Sequence, residues 1–186
     1  MPQFDFELWK SRAHRRFAKA CAEGRKSNKL LRDMASIEKL AIVVSWCEER
    51  KLEVFFGKGP NGEYHHDERF ITVNGRLAPE SQLFVLLHEC GHALIGERHR
   101  KERYGNGYSA SELPHVQKTL LYRIDVIDEE LEAWHRGLKL AKRLGIEINV
   151  DRYNRTRAEY VKSYLRWATQ PSNQKRVTSV VQTEQS

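Results

Sequence analysis

Residues 79–97 read PESQLFVLLHECGHALIGE, and the fold of the whole chain turns on this stretch. Leu83, Phe84, Val85, Leu86, Leu87, Ala93, Leu94 and Ile95 leave it almost no polar side, which predicts a central, buried helix. Pro79 suits the first turn, where the N–H it lacks would have no partner. Into this apolar helix the sequence sets His88, Glu89 and His92 with the spacing H-E-x-x-H. Residues four apart share a helix face, so both imidazoles can reach one metal ion. Glu89 lies about 100° around from His88, close enough to hold a water on that ion without ligating it. Burying two histidines and a glutamate without partners would cost several kcal/mol, and a cation offsets that cost. Two neutral nitrogens from one rigid helix suit a single Zn2+ with a position left for water. Cys90, about 200° around from His88, is expected to point away and to serve as a small core residue.

A catalytic zinc usually takes a third protein ligand. A third histidine at short range is excluded, because Arg98 stands where the HExxHxxGxxH pattern requires it and Ile95 where it requires glycine. The helix predicted from about His115 to Leu144 offers Asp125, Asp128, Glu129, Glu130 and Glu132 instead. There Leu120, Ile124, Ile127, Leu131, Trp134 and Leu138 recur at steps of four and three and predict a core stripe. At about 100° per residue Glu129 falls opposite that stripe, and Asp125 and Glu132 fall well off it. Asp128 shares a side with Gln117, His135 and Lys139. Glu130 flanks the stripe beside Val126, Ala133, Gly137 and Ala141, small or apolar neighbours that imply close helix packing. Glu130 is therefore the acid expected to face inward as third ligand.

Working outward, Leu52–Phe56 (LEVFF), Glu63–His66 and Arg69–Asn74 (RFITVN) read as short strands around the turn chemistry of GKGPNG, residues 57–62. Upstream, residues 5–32 predict a basic amphipathic helix, and residues 36–50 a second helix through Ile37, Leu40, Ala41, Val44 and Cys47. Residues 98–114 read as a polar loop, and a last helix is expected near Arg155–Thr169. The expected organisation is a basic N-terminal helical extension (1–35), a catalytic domain (36–169) and a tail (170–186).

Composition narrows the partners. The 186 residues are 40% hydrophobic and 31% charged, the balance of a soluble globular protein. No apolar run approaches the roughly 18 residues of a membrane span, so no membrane partner is expected. Cys21, Cys47 and Cys90 lack CxxC spacing and form no disulfide framework; with no secretory leader in MPQFDFELWK, they point to the cytoplasm. The net charge of +7 is concentrated between residues 10 and 32, where nine Lys and Arg face the single acid Glu23. That stretch fits a nucleic acid or an acidic partner, or a solvated basic face.

Helix, strands ending in Ile71–Asn74, an HExxHAL helix and a downstream helix carrying E-x-E-A (Glu130 to Ala133) together resemble the ImmA/IrrE family of minimal gluzincin peptidases, with SprT-like peptidases as neighbours. The resemblance implies an α+β, mostly helical minimal zincin with a small three-stranded sheet packed on the HExxH helix. It also implies that Glu130 is the third zinc ligand, which agrees with the helix-face argument. The activity implied is hydrolysis of a protein or peptide substrate, with Glu89 as general base for a zinc-activated water. A peptide is expected along an exposed sheet edge near Arg69–Asn74. Tyr104, Tyr108, His115 and His135 are the candidates to stabilise the oxyanion. Two other readings fit the same residues: a catalytically silent zincin-fold regulator whose basic arm binds nucleic acid or an acidic partner, and a metal-dependent hydrolase acting on something other than peptide.

Overall fold

The computed structural model describes residues 6–22, 28–59, 61–104, 116 and 119–170. Helix α1 (Phe6–Ala22) precedes α2 (Asn28–Glu48), and three strands follow: β1 (Glu53–Gly57), β2 (Gly62–His65) and β3 (Phe70–Asn74). The rest is helical: α3 (Pro79–Ile95), the short α4 (Glu97–Arg103), the long α5 (Leu120–Arg143) and α6 (Val150–Thr169). The α+β, mostly helical class expected from the sequence is the one observed.

The strands form one mixed sheet in the order β1-β3-β2, with β1 parallel and β2 antiparallel to β3. Ile71 and Val73 of β3 are buried while Phe70, Thr72 and Asn74 are half-buried, the alternation their spacing predicts. Those buried side chains join Leu83 to Leu87 of α3 and Leu40, Val43 and Val44 of α2 in one core. Gln82 fastens the sheet to α3, its amide donating to the carbonyls of Gly75 (3.1 Å) and Leu77 (2.8 Å). Because β3 is the central strand, its hydrogen bonds are committed on both sides. The free edge beside α3 is β2, not the Arg69–Asn74 segment expected to receive a peptide.

Helix boundaries differ from expectation for local reasons. Of the basic helix expected over 5–32, Phe6–Ala22 is α1 and Asn28 onward already belongs to α2, expected to start at 36, while residues 23–27 lie outside the described residues. A Lys29–Asp33 ion pair of 2.6 Å, one turn apart, supports that early start. The first part of the expected loop over 98–114 is helix α4, where polarity hid a charged helix tied by Arg98 and Glu102 at 2.8 Å. The remainder of that loop, 105–114, and the expected tail beyond Gln170 lie outside the described residues. Gly96, at φ 71°, makes the break between α3 and α4. Helix α5 starts at Leu120, where the Thr119 hydroxyl caps the N–H of Tyr122; α6 starts at Val150, where the Asn149 side chain caps Arg152.

The largest correction concerns α5. Trp134 of the expected core stripe is buried, but Leu120, Ile124 and Leu131 are exposed, and the buried face is made of Glu129, Glu130, Ala133, Gly137, Leu140 and Ala141 around that tryptophan. Backbone proximity explains this. A Cβ at Gly91 of α3 would fall on the carbonyl of Ala133, and one at Gly137 of α5 would fall on the carbonyl of Leu87. The two helices cross too closely for Leu or Ile at these points, so the small residues define the contact. We expect Gly91→Ala and Gly137→Ala each to destabilise the chain by about 1–3 kcal/mol or more, measured by urea denaturation, since the colliding atoms are backbone.

Candidate active site

The crossing of α3 and α5 sets three side chains against one another. His88 is buried one turn before His92 on α3, and Glu130 faces both from α5. His88 Nε2 lies 3.2 Å from one Glu130 oxygen and His92 Nε2 lies 3.4 Å from the other. The two Nε2 atoms are 3.3 Å apart. One ligand atom from each of the three falls within 4.8 Å of the others, so His88, His92 and Glu130 could hold a metal ion.

The donor set fits such an ion on its own chemistry. Glu130 Oε2 is buried and accepts no well-formed hydrogen bond, although His88 stands beside it. Burial opposes a charge on His92, but hydrogen bonds to Glu129 and Glu130 outweigh it and push its pKa up to about 10. Burial also opposes the charge on Glu130, yet His88 and His92 hold that carboxyl well below its usual range. A proton thus stands where a cation would complete the same charge balance.

Glu89 is nearly inaccessible, with Oε1 4.0 Å from His88 Nε2. Burial raises its pKa, against the pull of His88 and His92, and Glu130 and Glu63 add to the rise. The β2 strand passes directly over it: a Cβ at Gly62 would fall on Val85 and stand 2.7 Å from Glu89 Oε1. Glycine there lets the sheet edge come down onto the site. The resulting cleft has a volume of about 290 Å³, with Glu63, Tyr64 and His66 on the sheet side and Arg100 and Tyr164 on the helical side.

Several of these groups were not legible in the sequence. Glu129, placed opposite the core by periodicity, is buried and accepts from His92 Nδ1 at 3.1 Å. The same oxygen accepts from Arg100 of α4 at 2.9 and 3.1 Å. With Nδ1 engaged as donor, neutral His92 offers its Nε2 lone pair to the cleft. Trp134 stacks on the His88 ring at 4.4 Å and 20°, fixing it from behind. Cys90 points away from the site, as expected, and its sulfur lies 3.4 Å from that of Cys47 in the core.

Of the four oxyanion candidates, Tyr104 is buried with Ile95 and Ala133 and does not line the cleft. His135 is exposed and borders a different recess with Leu138 and Lys139. Tyr108 and His115 lie outside the described residues. Tyr64 of β2 lines the cleft, and so does Tyr164 of α6, one turn beyond Tyr160. The spacing of four between Tyr160 and Tyr164 on a predicted helix was the one signal that could have marked them as a shared face.

An HExxH helix facing a glutamate from the next long helix, beneath a small mixed sheet, defines a zincin-type peptidase fold. The sequence model of the peptidase family described as IrrE N-terminal-like domain matches residues 47–154, more than half of the chain. The chain belongs to that family, as its resemblance to ImmA/IrrE proteins implied. No curated protein and no solved structure matches it significantly. The matched stretch runs from the end of α2 through α5 and stops early in α6.

Two measurements test this geometry. Glu129→Gln should weaken the affinity of this site for a divalent metal ion about 10–100-fold in a competition titration, because His92 loses the acceptor that orients it. Metal loading at pH 7 should release protons, since His92 with a pKa of about 10 is protonated beforehand and must be neutral to ligate. Calorimetry in two buffers of different ionisation enthalpy reads that release; identical heats would contradict it.

Proposed function

We propose that the chain is a zinc-dependent peptidase of the gluzincin type, with His88, His92 and Glu130 as metal ligands and Glu89 as general base. The observation that carries this reading is the convergence of those three donors beside a buried Glu89, in a cleft bordered by the open edge of β2. When bound, zinc polarises the scissile carbonyl and lowers the pKa of its water to about 7. The protein's own residues do the rest. Glu89, its basicity raised by burial, takes the proton of the attacking water at its carboxylate and delivers it to the departing amine. His88 is fixed by Trp134, and His92 by Glu129 and Arg100, so neither must reorganise during the reaction. A peptide in extended form would lie against β2, where Glu63, Tyr64 and His66 line the cleft and main-chain groups can pair with it. A reducing, cytoplasmic setting suits the free thiols of Cys47 and Cys90, whose sulfurs lie 3.4 Å apart with no disulfide between them.

A second reading rests on α1. Arg12, Arg15 and Lys19 lie on one exposed stripe of that helix, and α1 packs mainly on α2. A regulator with a silent site would use this arm to hold nucleic acid or an acidic partner. The basic extension of residues 1–35 and the catalytic unit of 36–169 would then be separate in role, although α2 runs unbroken across their boundary.

Glu89→Gln separates the two readings. The variant should retain one zinc per chain and lose at least about 10²-fold in cleavage of an unfolded protein such as denatured casein, read by mass spectrometry. Removal of the metal with a chelator should abolish cleavage, and added zinc should restore it. Cleavage by Glu89→Gln at the unaltered rate would sink the peptidase mechanism.

A further inference from the structure

A hydrolytic site of this kind needs a donor for the carbonyl oxygen as it gains negative charge. Among the described residues, the side-chain donors that line the cleft, apart from the two histidines of α3, are Tyr64, His66, Arg100 and Tyr164. Arg100 is engaged, both of its contacts going to Glu129. His66 sits in the turn after β2, 3.7 Å from Asp67, and Tyr64 packs its ring toward His66 at 5.8 Å. Tyr164 differs from all three. It lines the cleft from the helical side, together with Glu130 and the two histidines, whereas Tyr64 and His66 belong to the sheet side. The helix that carries it is anchored one turn earlier, where the Tyr160 ring meets Trp134 at 5.3 Å and His88 at 6.5 Å. Tyr153, further back on the same helix, donates to the Trp134 carbonyl at 2.8 Å. Three contacts to the site's own framework therefore fix where Tyr164 stands.

We propose, resting on the peptidase reading above, that Tyr164 is a catalytic residue whose hydroxyl donates a hydrogen bond to the oxygen of the scissile carbonyl as that oxygen becomes anionic. It replaces Tyr104 and His135 in that role. A phenol ordinarily ionises near about pH 10, so its hydroxyl is a donor at neutral pH. The residue lies beyond the segment that matches the family, so this part of the site is supplied by α6 of this chain. Phenylalanine at 164 would keep the ring and its packing and remove only the donor.

The test uses the full chain loaded with zinc, unaltered and as Tyr164→Phe, and two probes. A phosphinic pseudopeptide carries a tetrahedral anionic group in place of the scissile carbonyl; acetohydroxamate reports metal access alone. The expected result is a phosphinic peptide bound about 10–100-fold more weakly by Tyr164→Phe, with zinc content and acetohydroxamate affinity unchanged, and a kcat for casein cleavage reduced about 10²-fold with little change in KM. Equal phosphinic peptide affinity in the two proteins overturns the proposal. Loss of zinc from Tyr164→Phe overturns it too, because the tyrosine would then only position Glu130. If the unaltered, zinc-loaded chain binds neither probe, the peptidase reading itself fails, a result distinct from either of these.

Discussion

Helices α3 and α5 approach so closely that the peptide backbone of each touches the other. Gly91 makes room for the Ala133 carbonyl, and Gly137 for the Leu87 carbonyl. This contact precedes everything chemical in the molecule, because the candidate ligands it unites stand on different helices. Side chains of glutamate and histidine are short relative to the roughly 8–10 Å at which helices ordinarily pack. Bringing a glutamate within 3.2 and 3.4 Å of two histidines across that interface needs the smaller separation that glycine and alanine permit. The cost is the larger apolar burial α5 would gain by turning Ile124 and Leu131 inward; both remain exposed as a result.

A second constraint follows from placing carboxylates in a core. Glu89, Glu129 and Glu130 are all buried within a few ångströms of two imidazoles, and each sits in a different environment. Glu130 is surrounded by the histidines and stays ionised; Glu129 is matched to Arg100 and His92; Glu89 lies under the sheet edge, where burial raises its basicity. Burial alone would push all of them toward protonation. The neighbours set the three apart: one is held ionised by two histidines, one is matched to Arg100, and one is made more basic. That division is the electrostatic content of the site, and it depends on one turn of α5 presenting two consecutive acids to opposite sides of His92.

The aromatic side chains link this centre to α6. Trp134 stacks on His88, Tyr153 bonds the Trp134 backbone, and Tyr160 packs on the indole. Through them a helix mostly beyond the family-matched stretch becomes part of the cleft wall. The sheet approaches from the other side through Gly62, leaving the cleft between a strand edge and a helix face.

The sequence by itself determined the HExxH helix, its burial, the mostly helical α+β class, the inward direction of Cys90 away from the site, and Glu130 as the acid beside small residues. Those features are local: they follow from helix periodicity and from the apolar surroundings of His88 and His92. It misjudged the core face of α5, because periodicity weighs apolar size and gives no weight to the glycine and alanine contacts through which backbones meet. Glu129 was hidden for the same reason, its burial being compensated by Arg100, which comes from a different helix. The order β1-β3-β2, which makes β2 rather than β3 an edge, and the arrival of Tyr164 in the cleft with Glu130 were decided only by tertiary structure. Both depend on how distant segments pack, and no spacing within a single element encodes that.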